Sequence, residues 1–513
     1  MTAFYTDRLS ARPGETVALH ATSAQGPCRL EIARIGRERV VVAVVEDIDV
    51  GDHPTPDDAD SNGCAWPVAG HVEIGPDWKT GYYDLLLTDA GGEQWHHCLC
   101  VRPARGTRSA RALIVLSTNT YHAYNYWGGA SAYCDVAGLM SGAKPFAEAM
   151  AGAIGVLSTE RPFPQMIIAA PEDAPRLVNL RKRDFGETPW AADPDWRLRH
   201  LQTPYDGSAG FLHKWEHAFV DWAEREGIAL DYATDGDLDA EADALDGYAC
   251  VLLVGHSEYW TVNERDALER FVDAGGGLAI FSGNTAFWKV RFENGGRTYV
   301  CHKWRGFEND PAVRDDPSLA THLWSHRAFE RPEATITGLT FLFGGYHRLG
   351  MCVARGQGGY TIYNDRHWAL AGTDLFYGDV IGDTLPLLGY ENDGCRFYFG
   401  ADGLPKPAPG LGVPENLEII GLAPCAFGED PDSPYHPIIP PENLDAVARD
   451  VFGDPEMAAN PALIRGHAVV ASFRRGGGEV FNGGTTEWAH ALRANDPFIA
   501  QITRNVLARF KAT

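Results

Sequence analysis

The sequence predicts an α/β protein. Its core is a doubly wound parallel sheet, preceded by an all-β module and interrupted by an irregular β/loop insertion. Three observations carry this expectation. Residues 1 to 105 hold only short β-rich segments separated by turn residues. Beyond them, apolar runs of strand length alternate with amphipathic helical stretches. One such run, Val251-Leu252-Leu253-Val254, stops at Gly255, and His256, Ser257, Glu258 and Tyr259 come directly after it. A short apolar run of this kind reads as a strand buried on both faces. Ligands of open α/β sheets bind outside the carboxyl ends of the strands, so a polar cluster placed there is a candidate site. His256 and Glu258 are two apart and share one face in extended backbone. The plainer alternative has His256 capping a loop and Glu258 opening the next helix near its positive end.

The all-β reading of residues 1 to 105 rests on strands at Thr16–Ala21, Arg29–Ile35, Val40–Val45 and Tyr82–Thr88. A sandwich of about 100 residues is their natural packing. Ala11-Arg12-Pro13-Gly14-Glu15 is a turn signal, and Trp78-Lys79-Thr80-Gly81-Tyr82-Tyr83 resembles the lead into a late strand of immunoglobulin-like modules. The α/β part covers residues 106 to 513 and opens with a strand at Ala112–Leu116. A helix at Phe219–Glu226 leads to a strand at Ala229–Ala233. Ala249–Val254, Val262–Ala274 and Gly277–Phe281 read as strand, helix and strand, with Gly275-Gly276-Gly277 ending the helix as a glycine cap does. From 300 to 440 the chain is rich in Gly, Pro and aromatics, and reads as irregular β structure and loops laid over the sheet. Strands at Ala468–Phe473 and Gly478–Asn482 and a helix at Pro497–Arg509 close the layer.

Composition excludes several function classes. The formal net charge of −25, from 69 acidic against 44 basic residues, argues against a nucleic-acid partner. The basic cluster Arg181-Lys182-Arg183 is too short to reverse that balance. No apolar run approaches the roughly 20 residues that a membrane helix needs. The first residues lack the basic start and apolar centre of a signal peptide, so the expected compartment is the cytoplasm. Ten cysteines are scattered without a CxxC pair, which fits buried, reduced thiols. GxxxxGK[ST], GxSxG and HExxH are absent, which removes P-loop enzymes, α/β-hydrolases and zincins.

Five stretches then stand out in order. They are Asn119 to Gly129 (NTYHAYNYWGG), Gly255 to Trp260 (GHSEYW), Phe281 to Glu293 (FSGNTAFWKVRFE), Gly389 to Gly394 (GYENDG) and Phe481 to Trp488 (FNGGTTEW). Together they resemble the large subunit of N,N-dimethylformamidase and its C-terminal-domain relatives, over residues 106 to 513. The resemblance implies a glutamine-amidotransferase-like α/β fold that has lost its cysteine nucleophile. It implies a mononuclear iron(III) held by two tyrosines and a glutamate, acting on a small-molecule amide. Carried over by motif, the metal ligands are Tyr124 and Glu258, and His256, Asn284 and Glu391 line the site as catalytic residues, with Glu391 in proton transfer. The second family tyrosine often lies in an Arg-Pro-Tyr step. Here that step reads Arg161-Pro162-Phe163, and phenylalanine cannot ligate a metal. Tyr121, Tyr126, Tyr133 and His256 are the candidates for the missing ligand. The family enzyme pairs its large subunit with a small one, so a small partner subunit stays open. A homo-oligomer is expected from the apolar edges that such chains expose.

The chemistry suits these residue types. A hard cation polarises an amide carbonyl and lowers the pKa of bound water from 15.7 towards about 7. Carboxylate and phenolate oxygens suit a hard ion. Glu391 as proton shuttle would contribute roughly 10²–10⁴-fold in rate, and Asn284 could donate to a developing oxyanion. Each has a structural alternative. Glu391 could be a surface carboxylate in a turn, Asn284 a helix cap, and Tyr124 an aromatic packed beside Trp127. Trp127, Tyr259, Phe287 and Trp288 are candidate pocket walls for a small or aromatic substrate. Two other classes also stay open. One is a degenerate amidotransferase-like scaffold or binding module, to which Phe163 points. The other is a metal-free hydrolase with His256 and Glu258 as acid and base. A cysteine nucleophile is disfavoured, because Cys250 lies inside the strand run.

Overall fold

The structure is a computed structural model describing residues 1–135, 138, 152–169, 210–212, 215–347, 358–382, 387–428 and 441–512. The Arg181-Lys182-Arg183 cluster lies outside the described residues. The architecture is mixed α/β, built on several sheets. At its centre five strands run parallel: Leu230–Thr234, Ala112–Leu116, Cys250–Gly255, Gly277–Ser282 and Gly478–Asn482, in that spatial order. Successive residues of Ala112–Leu116 alternate between two apolar clusters. Ala112, Ile114 and Leu116 join one, and Leu113 and Val115 the other. Both faces of this sheet are therefore covered, which is why its strands read as unbroken apolar runs.

The helices between these strands are set by their ends. Thr261 accepts from the Glu264 backbone N–H while the Glu264 side chain returns to the Thr261 N–H, and this capping box starts the helix Val262–Asp273. Asp496 caps Pro497–Arg509 in the same sense, accepting from the N–H groups of Phe498 and Ile499.

The sheet continues antiparallel through Arg465–Arg475, Glu418–Ala426, Thr340–Tyr346 and Glu391–Gly394. This corrects the reading of residues 300 to 440 as structure laid over the sheet. Three of these strands come from that stretch and extend the sheet itself. Their glycine and proline content hid them, and the glycines are there because close backbone approach needs them. A Cβ on Gly344 would lie 2.1 Å from the Asn392 carbonyl oxygen, and one on Gly345 would lie 2.4 Å from the Ala426 carbonyl carbon.

The N-terminal residues form two further sheets. One joins Ala3–Thr6, Thr16–Thr22 and Val68–Glu73, and the other joins Ser10–Ala11, Gln94–Val101, Gly81–Thr88, Cys28–Ile35 and Arg39–Ile48. Phe4, Val17 and Leu19 of the first share a core with Leu30, Ile32, Leu85 and Leu99 of the second. Buried and half-buried ion pairs tie these sheets to the α/β part. Arg102 reaches Asp237 at 2.6 Å and Glu241 at 2.8 Å, and Arg12 reaches Glu241 at 2.8 Å. All nine described cysteines are buried. Among the described residues no helix is long and apolar enough to cross a membrane.

Candidate functional site

Three neighbouring parallel strands stop at one place, and the site is built from the residues just past their ends. Cys250–Gly255 is wholly buried and ends at Gly255, whose φ is +85°. A Cβ there would lie 2.5 Å from the Trp215 side chain, so only glycine allows the chain to turn. The turn delivers His256, Ser257 and Glu258 over the sheet edge. Thr120 pins it from the helix Thr118–Tyr124, donating to the His256 carbonyl at 2.8 Å. Ser257 receives the Trp260 indole N–H at 2.9 Å.

The next strand, Gly277–Ser282, ends in the same way. A Cβ on Gly283 would lie 2.2 Å from the Glu391 carbonyl oxygen, so this glycine lets the third segment close in. Asn284 then adopts φ +53°, a conformation that asparagine tolerates. Its backbone N–H is held by Asp393 at 2.9 Å, and its amide nitrogen donates to Glu258 Oε1 at 3.2 Å. Glu391 sits on the strand Glu391–Gly394 with 3% exposure, so it is not a surface carboxylate in a turn. Asn284 is likewise no helix cap.

His256 is the hub. Its Nδ1 lies 3.1 Å from the Gly283 carbonyl and must carry a proton there, since a carbonyl only accepts. Its Nε2 lies 3.0 Å from Glu258 Oε2 and 3.1 Å from Glu391 Oε2, aligned as a hydrogen bond with neither. Burial alone would push the imidazole down, but the two carboxylates outweigh it and hold His256 above its ordinary range. Burial raises the Glu391 carboxyl, His256 opposes that, and the Glu258 charge adds to it. His256 and Glu391 are thus both raised, and each bears on the other across 3.1 Å.

Phenols complete the chamber. Tyr133 donates to Glu258 Oε2 at 3.1 Å and is hydrogen-bonded to the Tyr259 hydroxyl. The Tyr124 ring lies 4.5 Å from that of Tyr133 and 6.2 Å from the His256 ring. Burial raises all three phenols well above their ordinary range. The structure thus gathers Tyr124, His256, Glu258, Asn284 and Glu391. Of the candidates for a further ligand, Tyr133 is in the chamber. Tyr121 spends its hydroxyl on Glu216, and Tyr126 is half-buried in the loop beyond the helix. Phe163 packs between the rings of His97 and His122, at 5.6 and 5.4 Å. Trp127 corrects an expectation. It packs edge-on against Trp66 at 5.6 Å, within a cluster of N-terminal residues, and does not join the wall that Tyr259 and Trp288 form.

Sequence reasoning missed Lys303, Asp393 and the part Thr120 plays. Thr120 and Asp393 lie inside quoted motifs, whereas Lys303 lies in none. Its ammonium rests over the Tyr133 ring, 2.9 Å from the centroid.

Among the described residues no three His, Cys, Asp or Glu side chains are disposed to hold a metal ion. No curated protein matches the chain. The profile described as N,N-dimethylformamidase beta subunit-like, C-terminal, matches residues 29–501, nearly the whole chain and every residue of the trio. The chain belongs to the N,N-dimethylformamidase beta subunit-like family.

Proposed function

We propose that this protein is a hydrolase that cleaves the C–N bond of a small amide, in the manner of N,N-dimethylformamidase. One observation carries the reading. A buried imidazole is suspended between two buried carboxylates at 3.0 and 3.1 Å, outside the ends of parallel strands, without a settled hydrogen bond to either. In this reading the α/β part, residues 106 to 513, is amidotransferase-like, and residues 1 to 105 are an immunoglobulin-like module.

The residues present fit a hard cation. Glu258 is 2% exposed and meets a phenol and an amide, while Asn284 Oδ1 and Glu391 Oε2 are buried without hydrogen-bond partners. Such oxygen-rich surroundings suit iron, the metal the resemblance implies. Tyr124, Tyr133 and Glu258 would hold it. When bound, it would polarise the substrate carbonyl and acidify a water.

The chain's own residues do the rest. Asn284 orients Glu258 through its amide N–H. Glu391, kept protonated by burial, gives its proton to the departing nitrogen as the C–N bond breaks, and recovers one from the attacking water by way of His256. The Gly283 carbonyl fixes the imidazole so that Nε2 faces both carboxylates. The phenols and the apolar strand ends keep bulk water from the chamber, which strengthens each of these contacts.

A metal-free hydrolase using the same trio is the second reading, favoured by the direct approach of His256 to both carboxylates. Metal analysis of the purified protein, with a panel of formamides, ureas and small amides assayed with and without iron, separates the two. Iron present in the protein, an iron–phenolate colour, and joint loss of metal and activity in Glu258→Ala support the first. Turnover by metal-free protein selects the second. Failure to cleave any amide under either condition removes both.

A further inference from the structure

Lys303 lies beside the site, over the Tyr133 ring, and neither reading uses it. It opens the short turn Lys303–Arg305 and holds φ at +53°, the left-handed region that a long side chain avoids. Strain of this kind persists where surrounding structure over-determines it, and it clusters at functional sites. The residue is 9% exposed, and its ammonium is buried without a hydrogen-bond partner. Three aromatic rings surround that ammonium. The centroid of Tyr133 is 2.9 Å away, that of Tyr259 5.4 Å and that of Trp288 5.5 Å. Sheet register builds the wall, because Tyr259 and Trp288 are partners in a two-residue parallel ladder. Trp304 braces it, edge-on to Trp288 at 4.9 Å.

Aromatic faces satisfy part of a cation's charge, but they do not take its N–H donors. The protein shows what a structural buried lysine looks like. Lys289 is 6% exposed, and its ammonium donates to the Ser318 carbonyl. Lys303 has no such acceptor among the described residues, and it lies over the ring of the phenol that touches Glu258. Its donors are therefore left beside the site with no acceptor among the described residues to receive them.

We propose that Lys303 is a further catalytic residue, its ammonium donating a hydrogen bond to the acyl oxygen of the substrate and to the carboxylate of the product. The proposal rests on the amide-hydrolase reading. Lys303 transfers no proton in this role. It offsets the negative charge that gathers on the acyl oxygen when water adds to the carbonyl carbon.

The test is acetate binding, measured by titration calorimetry on the full chain, for wild type, Lys303→Met and Lys303→Arg. Wild type is expected to bind acetate. Lys303→Met is expected to weaken it by about tenfold or more, the size of one charge-assisted hydrogen bond, and Lys303→Arg to restore most of it. Equal affinity in wild type and Lys303→Met, or no binding by wild type, overturns the proposal. A measurement on wild type alone covers the case in which Lys303→Met does not fold. Acetate should slow reductive methylation of Lys303, read by peptide mass spectrometry, and leave surface lysines unchanged, and unaltered labelling of Lys303 overturns the proposal. Neither assay needs turnover. A chain that cleaves no amide but loses acetate with Lys303→Met would sink the hydrolase reading and keep Lys303 as an anion-binding residue.

Discussion

Glu216→Gln should make the protein more stable at alkaline pH and leave it unchanged at low pH. Glu216 opens the helix Glu216–Arg225 and is 3% exposed. Its Oε1 accepts the Ser117 N–H at 2.9 Å, and its Oε2 accepts the Tyr121 hydroxyl. Through those contacts it supports the helix that carries Thr120 and Tyr124. Burial raises its carboxyl from 4.5 to about 7, against the pull of Tyr121 and Ser117. A carboxyl that holds its proton more tightly when folded stabilises the fold fully below the unfolded value of 4.5. That contribution is lost as pH rises through about 7. At ~1.4 kcal/mol per pK unit, the full loss is about 3 kcal/mol, of which about 2 falls between about pH 5.5 and about pH 8. Glutamine keeps the shape, accepts the Ser117 N–H through its carbonyl and can donate its NH2 to the Tyr121 oxygen in place of accepting, but it cannot ionise. Urea unfolding of wild type and variant at those two pH values, monitored by tryptophan fluorescence, reads the difference, and the other titrating groups cancel in the comparison. Parallel pH dependences for the two proteins would refute the argument, because they would mean that Glu216 is as easily ionised folded as unfolded.

The site and its supports carry two further expected outcomes. If the proposed iron is held as argued, Tyr133→Phe should fold and retain less of it by metal analysis than wild type, whereas Tyr121→Phe should match wild type; equal iron in Tyr133→Phe and wild type would remove that phenol from the proposed donors. Arg161 is 1% exposed and donates to the carbonyls of Ser158, Trp127, Ala130 and Asn125, so Arg161→Met should lower unfolding stability by about 3–5 kcal/mol. A loss below about 1 kcal/mol in urea would show that those carbonyls find other donors.

The parts of the fold legible in the sequence are those with one dominant signal. The strand Gly478–Asn482 and the helix Pro497–Arg509 occupy the residues expected for them, and the Asp496 cap with Pro497 behind it fixes where the helix starts. The strand before His256 was legible because both its faces are buried. Gln94–Val101 escaped notice because its two histidines break the apolar alternation, and one of them, His97, is buried, with its Nε2 3.0 Å from the Thr6 hydroxyl. The antiparallel strands at Thr340–Tyr346 and Glu418–Ala426 carry glycine or proline where neighbours crowd the backbone, so they looked like loops. At the site, residues adjacent in the chain were legible from their own segment, whereas those brought in from afar were named only through the family resemblance or, like Asp393, not at all. His256 and Glu258 share one segment. Tyr133 reaches Glu258 across 125 residues and Asp393 reaches Asn284 across 109, and periodicity carries no information about such distances. Lys303 was invisible for a further reason, since its role depends on a positive φ that the sequence gives no cause to expect.

The way this chain treats its other buried charges explains why the trio is read as a working site and not as a structural salt bridge. Arg161 is as buried as His256, and its three nitrogens all donate to carbonyls. Arg265 is fully buried, and it donates to Glu269, Thr335 and two carbonyls while lying 4.4 Å over Trp324. Asp393 is fully buried, and it accepts the N–H groups of Asn284 and Thr285. In these three cases the charge is closed by partners, as the cost of an unpaired buried charge requires. Buried polar atoms without a hydrogen-bond partner also occur elsewhere, at Asp235 Oδ1, Glu264 Oε1 and His97 Nδ1. His256 Nε2, Asn284 Oδ1, Glu391 Oε2 and the Lys303 ammonium differ in gathering beside one carboxylate, Glu258, which His256 and Asn284 touch directly. An oxygen-rich, donor-lined cluster of this kind is what a polar substrate and a hard cation would complete.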